Sequence, residues 1–287
     1  MLTVREYFSR PDPVEEEIRS CVDSIWRSVE WDWYTRGEDV LYWHWSPDHG
    51  WDMNMQVTGW NEALIVYVLA ASSPTHPISR RVYDNGWARN GEMLNGLKYL
   101  DVTLPLGPPY GGPLFFAHYS FLGLNPHGLS DAYADYWDQN VAQARINYKY
   151  CVENPKGWKG YSRNVWGLTA SDVPGGYAAS SPTEDTGTIA PTAALSSFPY
   201  TPYESMEALH YYYYILGEKL FGEYGFYDAF NIQDGWYASS YLAIDQGPIV
   251  IMIENYRTGL LWNMFMKNDD VKSGLLRLGF DFHRPRE

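Results

Sequence analysis

The chain has 287 residues, with 35 Asp and Glu set against 21 Lys and Arg and a net charge of −14. That balance repels phosphate backbones and anionic lipid and argues against nucleic acid and membrane surfaces as partners. Trp, Tyr and Phe make up 17% of the residues, which suits either a wet cleft for a polar ligand with apolar faces, such as a sugar, or an aromatic-rich helical core.

No apolar run reaches the ~18 residues of a membrane span, and the opening MLTVREYFSRPDPVEEE lacks the charged-then-apolar pattern of an export signal. Cys21 and Cys151 lie in no zinc-binding or redox spacing and read as buried thiols. The first element is an amphipathic helix over 13–31, with acidic residues at its start and Ile18, Val22, Ile25, Trp26 and Val29 at helical spacing. LYWHWS then alternates like a short strand and SPDHGW turns the chain, which predicts a β-hairpin. GWNEALIVYVLAAS predicts a helix over 59–71 buried on all sides, stopped by SSPTHP.

Residues 85–131 are rich in Gly, Pro and aromatics, with one short helical stretch at 114–122; so long a loop is usually functional. Further helices are expected at 132–154, 191–197, 203–221, 248–257, 260–266 and 271–278, with loops between them. No βαβ alternation and no phosphate-binding glycine fingerprint occurs, so an all-α chain of antiparallel helices is expected, forming one domain over 1–287.

Several of these loops join carboxylates to Gly and aromatics: GWNEAL, WGLTASDVPGGY, PTEDTGTIAP and NIQDGWYASSYLAIDQGP. They supply Glu62, Asp172, Glu184, Asp185, Asp234 and Asp245 as candidates. Glycoside hydrolysis needs one protonated carboxyl and one ionised carboxylate. The apolar run after Glu62 favours its protonated form, whereas Asp172 and Asp245 lie among polar residues that favour the charge. With Gly59 as a cap, Glu62 also falls where a Glu commonly caps a helix, so both roles stand. Asp245 reads equally as a cap and Asp234 as a turn residue. There is no GxSxG elbow and no HExxH, and the histidines, His118 among them, are isolated beside aromatics; no metal or other cofactor is expected.

TVREYF, GWNEALIVYVLAASSPTHP, FFAHYSFLGLNP, WGLTASDVPGGY, GTIAPTAALSSFPY and LAIDQGPIVIMIENYRTGLLW resemble, in that order, the glucoamylase-like family that includes glycoside hydrolase family 144. The resemblance implies an (α/α)6 toroid around a central cavity and endo-type, inverting hydrolysis of β-1,2-glucan. It places Glu62 as general acid, Asp245 as base, and Asp172 as a substrate contact or alternative base. Trp60, Trp166, Tyr177, Trp236 and His118 are then expected to bind an oligo- or polysaccharide substrate.

The family carries further helices and cleft acids before the TVREYF segment, and these have no counterpart here. An incomplete ring is therefore expected, monomeric unless its open edge pairs with another chain. The competing expectations are a non-catalytic carbohydrate-binding remnant and a half-ring that needs a partner chain. Members are usually exported, which implies a periplasmic or secreted location.

Overall fold

The computed structural model describes residues 1–282. Most of its regular structure is helical, and the strands are short two-stranded antiparallel pairs, so the expected all-α class holds. The chain divides into two compact units, one built from Met1–Leu94, Gly123–Tyr136 and Leu260 onward, the other from Asn95–Leu122 and Trp137–Gly259.

In the first unit the helix Pro13–Ser28 starts where Asp12 accepts from the Glu15 N–H at 3.2 Å, with Pro13 at its first position. It buries Val22 and Trp26, while Ile25 stays 49% exposed. Cys21 lies on the outer face and is exposed, and Cys151 is buried. The expectation of two buried thiols is thus corrected for Cys21, which sits outside the narrow inward stripe. Leu2–Tyr7 lies against this helix and against Leu260–Lys267. Arg5 bonds Asp23, and its Nη2 donates to Asp270 at 3.1 Å, where Trp26 Nε1 also donates at 3.1 Å.

The expected hairpin after Gly37 is reduced to isolated bridges, Tyr42 with Gln56 and Ser46 with Gly50. The apolar helix runs over Leu64–Ser72, several residues later than the sequence predicts. Asn61 explains the delay. Its side chain accepts from the Ala63 N–H at 2.8 Å and donates to the Thr58 carbonyl at 3.2 Å, closing a turn ahead of the helix.

This helix packs on Asp269–Leu278, which Asn268 caps through the Asp270 and Val271 N–H groups. Gly274 permits the approach: a Cβ there would meet Ser72 Oγ and lie 2.7 Å from both Cα and N of Ser72. Because two of those atoms are backbone, Gly274→Ala is expected to cost ~3 kcal/mol. A urea melt of the variant matching the parent within error would show that the helices part freely.

The second unit holds most of Tyr136–Glu153, and one face of this helix carries buried amides. Gln139 Oε1 accepts from Leu106 N–H at 2.7 Å, and Gln143 Nε2 donates to the carbonyls of Gly111 at 2.8 Å and Pro113 at 3.1 Å. Asn147 pairs both ways with the Leu168 backbone, at 3.0 Å each way. At Leu106, Gly111, Pro113 and Leu168 these side chains satisfy backbone groups that burial would otherwise orphan.

Beyond it, Pro191–Leu195 packs on Pro202–His210 and on Ala243–Thr258. The single helix expected over 203–221 is broken into Pro202–His210, a π turn at Tyr211–Ile215 and Gly217–Leu220. The wider turn lets one tyrosine of YYYYI face inward: Tyr212 is fully buried and donates to the Trp166 carbonyl at 2.6 Å, while Tyr213 and Tyr214 stay exposed.

Candidate active site

In the second unit a hairpin, Ala170–Val173 with Gly176–Ala179, sets Asp172 opposite Tyr177. The segment that the sequence reads as loop is thus a strand pair, turned by Pro174 and Gly175, the latter at φ +86°. Asp172 is half-buried and its carboxylate accepts from the Ser240 hydroxyl; Tyr177 is 56% exposed.

A second hairpin pairs Phe230 with Tyr237 and Asn231 with Trp236. Asp234 N–H donates to Asn231 Oδ1 at 3.1 Å, so Asp234 has the expected turn role. The same pairing continues outward, with Asp228 N–H donating to the Ser240 carbonyl at 3.1 Å. Asp228 Oδ2 in turn accepts from the Asp172 N–H at 2.7 Å.

Asp245 stands in the first turn of Ala243–Thr258, inside the helix and not at a cap. The helix starts earlier than Pro248 suggests, because the hydrogen bond this proline omits belongs to the carbonyl of Ile244, a residue 56% exposed. Asp245 itself is 1% exposed and Asp228 2%. Thr192 Oγ1 donates to the Asp245 carbonyl at 2.9 Å, and Tyr119 OH lies 3.4 Å from Asp245 Oδ1.

Burial, followed by the charge of Asp228 and a hydrogen bond with it, pushes the Asp245 carboxyl up to about 8. Burial also raises Asp228, against the opposing pull of the Asp172 N–H. The polar environment that the sequence assigns to Asp245 is therefore corrected: its neighbours in sequence are polar, but its neighbours in space desolvate it and include a second carboxyl.

The consequence for stability has a definite sign. An acid raised by folding binds a proton that the unfolded chain releases near pH 4, so its contribution is intact below that and is lost as pH climbs to about 8. Asp245→Asn removes the loss. Its thermal midpoint is expected to gain on the parent by ~5 °C between pH 5 and pH 8.5, and parallel midpoints across that range would contradict the burial argument.

In the first unit Glu62 sits in the turn before Leu64–Ser72, partly exposed, on a cavity of about 150 Å³ with Trp43, Met55, Val57, Asn61 and Ala63. The helix starts at Leu64, so Glu62 does not stand at the third helical position expected with Gly59 as the cap. Trp60 is 5% exposed and stacks on Tyr136 at 6.2 Å.

Trp166 and His118, expected on the cleft, are core residues of the second unit. Trp166 is fully buried with its Nε1 3.3 Å from the Glu204 carbonyl. His118 is 1% exposed, 2.9 Å from Ser197 Oγ and parallel to Tyr200; burial pushes its imidazole down to about 3, so it stays neutral. Trp236 is half-buried on its hairpin.

Glu184 is exposed. Asp185 is buried and accepts from Tyr150 OH at 3.1 Å, Trp158 Nε1 at 2.9 Å, Tyr161 OH at 2.7 Å and Gly187 N–H at 2.9 Å. Its oxygens are occupied, which makes it a loop anchor. Sequence reasoning missed Asp228, although the acid lies in GFYDAF between Tyr227 and Phe230, just ahead of NIQDGW and in the same aromatic surroundings as the chosen candidates.

No group of three or more His, Cys, Asp or Glu among the described residues has the arrangement of a metal site, and no described helix is long and apolar enough to cross a membrane. The frame is that of an all-α fold, with its candidate carboxyls carried on a hairpin, a connection and the first turn of a helix.

The family model for glycoamylase, whose description reads "Putative glucoamylase", matches residues 54–269, and the chain belongs to that family. It is 46% identical to the exo β-1,2-glucooligosaccharide sophorohydrolase (non-reducing end) of Parabacteroides distasonis over 97% of its own length and 42% of that protein's. The chain thus spans less than half the length of this curated relative.

Among solved structures, a family member from Bacteroides uniformis is 55% identical with a TM-score of 0.97, covering 99% of this chain and 70% of that one. An endo-β-1,2-glucanase from Chitinophaga pinensis, in complex with sophorotriose and glucose, is 51% identical with a TM-score of 0.95, covering 98% of this chain and 68% of that one.

Proposed function

We propose that the chain is the catalytic part of a glycoside hydrolase that cleaves β-1,2-glucan with inversion, Glu62 acting as general acid and Asp245 as base. The observation that carries the reading is the cluster in which the buried carboxyls of Asp228 and Asp245 join the half-buried Asp172 of the first hairpin, in a chain about half identical to an endo-β-1,2-glucanase. An inverting pair divides the work: one carboxyl protonates the leaving oxygen, and the other takes a proton from the attacking water. Asp172, held by Ser240, is a substrate contact or the alternative base, and Tyr177 and Trp236 offer ring faces to a sugar.

The family match runs through segments of both units, which supports treating 1–287 as one catalytic domain with the (α/α)6 toroid of the family. An exported protein, periplasmic or secreted, belongs to the same reading, and cell fractionation tests it.

The decisive experiment incubates the protein with β-1,2-glucan and with β-1,3- and β-1,4-glucans. Products are sized to separate sophorose release from internal cleavage, and the first anomer formed is followed by proton NMR. Release from β-1,2-glucan alone, with inverted configuration, is the expected result. Calorimetric binding without any product would replace the enzyme by a carbohydrate-binding protein.

A further inference from the structure

We propose that Asp228 and Asp245 share a single proton between facing carboxyls, and that Asp228 is the positioning residue that fixes how Asp245 is protonated. The oxygens leave little choice. Asp228 Oδ2 is taken by the Asp172 N–H at 2.7 Å, and Asp245 Oδ1 faces Tyr119 OH at 3.4 Å. Asp228 Oδ1 and Asp245 Oδ2 are both buried and neither has a hydrogen-bond donor. The two side chains nevertheless engage each other. Two ionised carboxylates have only acceptors to offer, so this contact exists as a hydrogen bond only when one proton lies between them.

The surroundings hold the pair at one negative charge. From the first hairpin it meets the Asp172 carboxylate and the Tyr177 phenol, from the 114–122 turns Tyr119, and from the helix at Pro191 the neutral hydroxyl of Thr192. No Lys, Arg or His among the described residues forms an ion pair with Asp172, Asp228 or Asp245. A second charge would be neither paired nor hydrated. Below the upper titration of the pair one carboxyl is protonated and one ionised, and Asp245 can accept a proton from water when the shared proton rests on Asp228. That last consequence rests on the glucan-hydrolase reading; the shared proton does not.

Infrared difference spectra of the parent against Asp245→Asn test the proton without any substrate. At pH 7 the parent is expected to show a protonated carboxyl band that Asp245→Asn lacks, disappearing with an apparent value of about 8. Asp228→Asn keeps an oxygen for the Asp172 N–H and turns an amide donor towards Asp245, so the Asp245 titration is expected to fall by at least ~1 pH unit. The matching limb of the pH–rate profile on β-1,2-glucan moves with it; a purely structural role for Asp228 would lower the rate and leave the limb in place. Absence of the band in the parent overturns the proposal even if Asp228→Asn fails to fold, and so does an unmoved titration in a folded Asp228→Asn. A parent that shows the band but cleaves no glucan overturns the hydrolase reading alone and upholds the shared proton.

Discussion

Glu62→Gln is expected to lower kcat on β-1,2-glucan by ~10³-fold, within the range that general acid–base groups contribute. Asp245→Asn is expected to lose a comparable factor, for a different reason that a second measurement separates. A missing acid matters only when the leaving oxygen needs a proton, so an aryl glycoside with a good leaving group restores much of the rate to Glu62→Gln. A missing base is instead relieved by a small nucleophile that needs no deprotonation, so azide restores turnover to Asp245→Asn and leaves Glu62→Gln unchanged. Either variant cleaving glucan at the parental rate takes that carboxyl out of the reaction.

The second large effect is on stability, at Asp185. Tyr150, Trp158 and Tyr161 all donate to this one buried carboxylate. Asp185→Ala leaves those donors without an acceptor and is expected to cost ~4 kcal/mol, or ~10 °C in thermal midpoint. Asp185→Asn keeps the shape but replaces one accepting oxygen with an NH2 that opposes its donors, and is expected to cost about half as much. A loss under ~1 kcal/mol for the alanine variant would mean that the phenols find other partners.

The helices of 136–153 and 260–267 were legible because apolar periodicity is set by residues adjacent in sequence. The start of Leu64–Ser72 was not, since the Asn61 side chain competes for the backbone that Gly59 was expected to cap. At the site, the resemblance marks Asp172 and Asp245, but the protonation of Asp245 depends on Asp228, which only the Phe230–Tyr237 pairing carries to Ser240 and on to Asp172. Local polarity cannot report such a neighbour. His118 and Trp166 show the converse: aromatic surroundings in sequence look the same for a core as for a cleft.

The buried amides of Gln139, Gln143 and Asn147 give one face of their helix the grammar of a strand edge, with donors and acceptors spaced for an incoming main chain. The segments around Leu106, Gly111 and Leu168 read that edge much as a new strand reads a sheet, while being free of the pleat that a sheet imposes. A loop held in this way tolerates change in its own side chains, because what is recognised is its backbone. It does not tolerate change in the helix, so the shape of these loops is written in residues that lie outside them.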